Sequence, residues 1–205
     1  MPALGREFGL TPTQTQAAVT PEAKLPRRGV ITPSRGVPLM TDKSNFTPDE
    51  WKLLLESVMM AGIAVTAADP SGLWGLLKES FASSSELIKA KMDPGTNPLI
   101  KAVVSDFGTG QGRSTARDGL KEKLKGLKPT AITAKCIETL QQSGTLVDAK
   151  APSDAAAFKG WLRQISQHVA EAATEGGLLG IGGAPVSEAE KATLKEISTA
   201  LKLAA

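Results

Sequence analysis

Carboxylates gathered around a flexible stretch of backbone are the first feature of this chain that could do chemistry. Glu175, Glu188 and Glu190 flank a loop in which Gly176, Gly177, Gly180, Gly182 and Gly183 put five glycines in eight positions. Glycine lets a backbone bend sharply or approach a ligand closely, and a segment that only packs a core rarely needs so many. The loop matches neither G-x-G-x-x-G nor G-x-x-x-x-G-K-[ST]. A helix N-terminus after such a loop can hold an anion, but here Glu188 and Glu190 already occupy that positive end, with Glu175 across the loop. A phosphate would meet three carboxylates, which excludes a phosphate cradle. Carboxylates plus loop carbonyls suit a hard cation, Ca²⁺ or Mg²⁺. The competing expectation is structural: Ser187-x-x-Glu190 has the spacing of a capping box, and the glycines then only reverse the chain.

The remaining inventory is thin. The chain has one histidine, one cysteine and no tyrosine. His168 is the single candidate base near neutrality, and any hydrolase-like triad would have to use it. It falls on the helical face of Trp161, Ile165 and Ala172 with no nucleophile at a recognisable spacing, which predicts a boundary residue with a local hydrogen bond. Cys136 has no second cysteine to pair with, and one Cys with one His cannot complete a four-ligand zinc site. These residues predict a non-enzymatic protein with no cofactor, or at most a divalent cation, in a reducing and therefore cytoplasmic compartment. A bacterial source is expected.

The isoelectric point near 9.0 belongs to one end of the chain. Residues 1–39 carry Arg6, Lys24, Arg27, Arg28 and Arg35 against Glu7 and Glu22, which accounts for the whole net charge of +3. The other 19 basic and 19 acidic residues cancel, so the body does not look like a nucleic-acid surface. Residues 1–39 also hold six of the thirteen prolines and follow no apolar period, the pattern of a disordered or extended tail. They have no apolar signal-peptide core, so export by that route is not expected. Within them Pro26-Arg27-Arg28-Gly29-Val30 is echoed by Pro33-Ser34-Arg35-Gly36-Val37. Arg27, Arg28 and Arg35 are therefore candidate partner-docking residues, two weak contacts gaining from effective concentration. An ordinary-looking start at Met40 offers a different account, in which the tail is not translated.

The elements that would position these groups are helical. Thr47-Pro48-Asp49-Glu50 has capping-box spacing with proline at the first helical position, and Phe46 can staple against Trp51. Trp51, Leu54, Leu55, Val58, Gly62 and Val65 follow at helical spacing, predicting a central, mostly buried helix that stops at Asp69-Pro70-Ser71-Gly72. That break also argues against a transmembrane span over residues 57–77. A second helix is predicted over about residues 71–91 with Leu87 and Ile88 among its apolar contributors, and a third over residues 99–107. Residues 108–112 are expected to break the chain. A fourth helix should carry Leu120, Leu124 and Leu127 on one face and Lys121, Lys123, Lys125 and Lys128 on a solvated one. Ile132, Cys136, Ile137 and Leu140 mark a fifth, ending near Gly144. A sixth begins at Ser153-Asp154, and the last at Ser187. With no period-2 run, the expectation is an all-α domain over residues 40–205, a compact bundle of about seven helices behind the tail.

Two blocks look alike. Ala61-Gly62-Ile63-Ala64-Val65-Thr66-Ala67-Ala68-Asp69 is an Ala-rich helix reaching an acidic turn, and Val169-Ala170-Glu171-Ala172-Ala173-Thr174-Glu175-Gly176-Gly177 repeats that form before the helix start at Ser187. This pattern resembles the tellurite-resistance TerB-like helical family. The resemblance implies an all-helical fold tied to membrane-associated stress complexes, with acidic turns that bind divalent metal. Carried over by position, Asp69, Glu175 and Glu190 would be ligands, with Glu188 beside them. The first turn departs from the family form, being Asp-Pro-Ser-Gly, and the second is stretched by residues 176–185.

Three functions follow as expectations. The first is a non-enzymatic binding or scaffold module with a protein partner. The second is a divalent-cation-binding stress-response protein. The third is a peripheral binder of anionic membrane surfaces through the tail and the lysine face.

Overall fold

The computed structural model describes residues 41–68, 85–175 and 186–204. The chain divides between Pro38 and Leu39 into a leading segment and a body. The leading segment, with Arg27, Arg28 and Arg35, lies outside the described residues, as does Asp69.

The described body is all-α, with seven α-helices and one short 3₁₀ turn at Lys43–Asn45 and no described strand. The helices are α1 (Pro48–Ala68), α2 (Ser85–Met92), α3 (Pro98–Phe107), α4 (Gly110–Leu124), α5 (Pro129–Lys150), α6 (Pro152–Glu175) and α7 (Glu188–Ala200). Of the second expected helix, only Ser85–Met92 is described.

Helix α1 is the axis of the bundle and packs against α3, α4, α5, α6 and α7. Its start is set locally. Thr47 N–H donates to Glu50 Oε2 at 2.8 Å and Glu50 N–H donates to Thr47 Oγ1 at 3.3 Å, while the Phe46 and Trp51 rings stand 5.7 Å apart. This is the capping box with its hydrophobic staple. Leu54, Leu55, Val58 and Met60 are sealed inside, each contributing about 1.5–3 kcal/mol by leaving water. Helix α1 is long and apolar enough to cross a bilayer, with a mean hydropathy of 1.4, yet 78% of that window is buried against its own neighbours. Its apolar surface is used in the core.

Two helix boundaries and the burial of several side chains differ from expectation, because packing overrides local signals. The break expected over residues 108–112 is present but shorter. Only Gly108 and Thr109 separate α3 from α4, and the Thr109 hydroxyl caps α4 by accepting from Gly112 N–H at 2.9 Å. Helix α5 runs past Gly144 to Lys150, because Gly144 is buried against Leu201 and Lys159; that packing outweighs the ~1 kcal/mol helix penalty of one glycine. The leucine stripe of the fourth helix is only part of its buried face: Leu120 and Leu124 are half-buried against the core. Leu127 lies beyond α4 and is exposed, and the residues of α4 that are buried are Gly112, Ala116 and Gly119. A stripe of small residues lets the α4 backbone settle onto its neighbours, which leucines would prevent. Ile88 is likewise exposed, and Leu87 and Ala90 take the core positions of α2. Ala172, expected on the apolar face of α6, is exposed as well.

Candidate functional site

Polar groups drawn into the bundle are mostly held by structural partners. Glu56, on the buried side of α1, is the deepest charge. Lys123 Nζ lies 2.5 Å from its Oε2, and Lys52, one turn back, lies 3.9 Å from its Oε1. The carboxylate rests on the α4 backbone at Gly119, where a Cβ would fall 1.7 Å from Oε1. Lys123 is therefore not part of a solvated lysine face: it turns inward to the buried charge, because leaving Glu56 unpaired would cost several kcal/mol. Lys121, Lys125 and Lys128 are exposed as expected.

Two aspartates tie the chain's turns together. Asp106, at the end of α3, accepts from Trp51 Nε1 at 2.6 Å and from Lys43 Nζ at 2.9 Å. Burial pushes its carboxyl up, but the hydrogen bonds from Lys43 and Trp51, with the charge of Lys43, outweigh that and hold it below the usual carboxylate range. Asp154, in the first turn of α6, accepts from the Thr41 hydroxyl and from Asn97 Nδ2 at 2.6 Å. Asn97 in turn caps α3. These contacts bind loops to helix ends; they do not aim groups at solvent.

The histidine and the cysteine are placed as structural residues. His168 is about half exposed on α6, the boundary position expected of it, but its contact is not local: Nδ1 lies 3.3 Å from Glu86 Oε1 on α2. Cys136 is fully buried with its Sγ 3.3 Å from Met60 Sδ, and burial pushes its thiol up to about 12. At neutral pH it is not a thiolate and so not a nucleophile.

The carboxylates around the glycine loop separate in the same way. Ser187 and Glu190 form the expected capping box: Ser187 N–H donates to Glu190 Oε2 at 2.8 Å, and Glu190 N–H donates to Ser187 Oγ at 3.2 Å. Glu190 is buried in that role. Glu188 is exposed and pairs with Lys191 at 2.7 Å. Glu175 ends α6, and its side chain, like Asp69, lies outside the described residues. Among the described residues no three His, Cys, Asp or Glu side chains converge on a point that could hold a metal.

Among the described residues, a concave surface that faces solvent lies elsewhere, between α6 and α7. Arg163, Gln167, Val186, Lys191, Leu194 and Lys195 line an open groove of about 320 Å³. Arg163 is fixed within it by two neutral partners. Its Nε donates to Ser198 Oγ at 2.9 Å and its Nη1 to Gln167 Oε1 at 3.0 Å. Partial burial works against its charge, and the nearby Glu171 carboxylate supports it. Gln167 Nε2 donates to Glu171 Oε1 at 2.7 Å, which fixes the amide's orientation. The sequence hides this groove, because Arg163, Lys191 and Lys195 look like ordinary surface cations on two separate amphipathic helices.

No family model, characterised protein or solved structure matches this chain.

Proposed function

We propose that the body is a non-catalytic helical binding module that works through the α6–α7 face. The observation that carries this reading is how the polar groups are used. Glu56, Asp106, Asp154 and Glu190 hold the helices together, whereas Arg163, Lys191 and Lys195 line a groove open to solvent. The protonated, buried Cys136 and the pairing of His168 with a carboxylate support a module without a nucleophile–base pair.

The test is affinity capture with the full chain against a Lys195→Glu variant of equal melting temperature. Lys195 is exposed, so reversing its charge leaves the core untouched. A ligand or partner retained by the parent and lost by the variant is the expected result. Retention that does not depend on the groove would refute the reading.

The alternative of a divalent-cation site at Asp69, Glu175, Glu188 and Glu190 draws no support from Glu188 and Glu190, whose carboxylates are engaged by Lys191 and by Ser187. Melting in EDTA and then in millimolar Ca²⁺ or Mg²⁺ separates it, since a ligand of the native state raises its stability. The membrane-surface alternative is weakened by the inward turn of Lys123 and is separated by co-sedimentation with anionic liposomes.

A further inference from the structure

Charge and size in the α6–α7 groove narrow what it would bind; this inference rests on the binding-module reading above. Arg163, Lys191 and Lys195 put three cations on the lining, which contains no carboxylate. Lys191 is already paired with Glu188, and Gln167 with Glu171, so Arg163 and Lys195 are the lining cations that face an incoming anion. A monoanion meets less repulsion from Glu171 and Glu188 than a phosphate dianion would.

The guanidinium is prepared for such a ligand. Ser198 and Gln167 engage Nε and Nη1 and set the plane of the group, while both partners are neutral and leave its positive charge in place. A guanidinium held in position loses little freedom when its remaining N–H groups receive a carboxylate. The opposite requirement is also met, because Val186 and Leu194 supply an apolar wall. A volume of about 320 Å³ corresponds to about ten waters at ~30 Å³ each. That is room for a carboxylate with a short hydrocarbon body. We infer that the groove is a site for a small organic monocarboxylate, its head on Arg163 and Lys195 and its short apolar body along Val186 and Leu194.

The experiment is an NMR titration of the uniformly ¹⁵N-labelled full chain with sodium hexanoate, beside parallel titrations with sodium chloride, hexanol and inorganic phosphate. A ligand this small in an open groove should bind in the millimolar range. Saturable shifts confined to the amides around Gln167, Lys191, Leu194 and Lys195 are expected with hexanoate. Hexanol should bind about tenfold more weakly for lack of the charge, and Lys195→Glu should weaken hexanoate by about tenfold or more. Arg163→Lys is the second variant: it keeps the charge and loses the positioned guanidinium, and a several-fold weaker hexanoate affinity is expected. Phosphate producing the saturable shifts in place of hexanoate would overturn the monocarboxylate assignment and leave the binding-module reading standing. Silence from all probes while capture still depends on Lys195 would do the same. Silence together with groove-independent capture would remove both.

Discussion

Replacing Gly119 by alanine isolates the contact that lets a charge sit inside this bundle. The added Cβ would lie 1.7 Å from Glu56 Oε1, 2.7 Å from its Cδ and 2.7 Å from Lys52 Cε. A carbon–oxygen contact settles near 3.3 Å or more, so the carboxylate must retreat by about 1.6 Å. That retreat breaks the 2.5 Å contact with Lys123. Breaking a buried pair costs about 3–5 kcal/mol, and the low end applies, because Lys52 is already 3.9 Å from the other oxygen and can keep part of the interaction. Alanine returns about 1 kcal/mol through its better helix propensity. The net is a destabilisation of about 2 kcal/mol, or roughly 4–8 °C in melting temperature for a domain of this size. Urea unfolding followed by far-UV circular dichroism and tryptophan fluorescence measures it. The same substitution in a Glu56→Ala background should become neutral or mildly stabilising, since the obstructing carboxylate is gone. Gly119→Ala as stable as the parent, or a cost unchanged in the Glu56→Ala background, would refute the reasoning.

Further outcomes follow from the same geometry. Gly112→Ala meets backbone where Gly119→Ala meets a movable side chain: its Cβ would lie 2.1 Å from the Asp106 carbonyl oxygen. It should therefore cost about 3 kcal/mol, at the upper end for overpacking, as a lower urea midpoint. Gly160, in α6, has open space around its Cβ position, so Gly160→Ala should raise stability by ~0.5–1 kcal/mol in the same assay. Cys136 should resist thiol reagents at pH 8 and become labelled only at the rate of unfolding, because its thiol is buried and pushed up to about 12; fast labelling of the folded chain would contradict its placement. Asp106 has a native pKa held below its ordinary value by Lys43 and Trp51 against the effect of burial. Its stabilisation is thus present above the unfolded value near ~4 and is lost as pH falls through the lowered native value. Asp106→Asn should melt lower at pH 7 and show a flatter acid limb in a melting series from pH 7 to pH 2.

What could be read from the chain alone was whatever one helical turn encodes. The capping boxes at Thr47 and Ser187, the Phe46–Trp51 staple and the buried face of α1 depend on residues three or four apart, and the folded bundle keeps all of them. His168 as a boundary residue was legible from its place at the edge of an apolar stripe, whereas its partner Glu86, on another helix, was not. Glycine misled only in part. Gly108 does end a helix, but Gly112 and Gly144 lie within helices, where the missing side chain makes room for another backbone or for Leu201.

The tertiary structure alone decided which charges are buried and which cations converge. Glu56 follows Leu53-Leu54-Leu55 with Lys52 one turn back, but nothing within a turn of it foretells that Lys123, far along the chain, will supply its closest counter-charge across the bare backbone of Gly119. Arg163 and Lys195 lie on separate helices, each with ordinary surface spacing, and become one groove only when α6 and α7 pack together. The physical reason is range. Periodicity and capping are settled by interactions within a turn, so a single sequence displays them. Close approach, counter-charge and concavity depend on which helix faces are brought together, and only the packed bundle sets that.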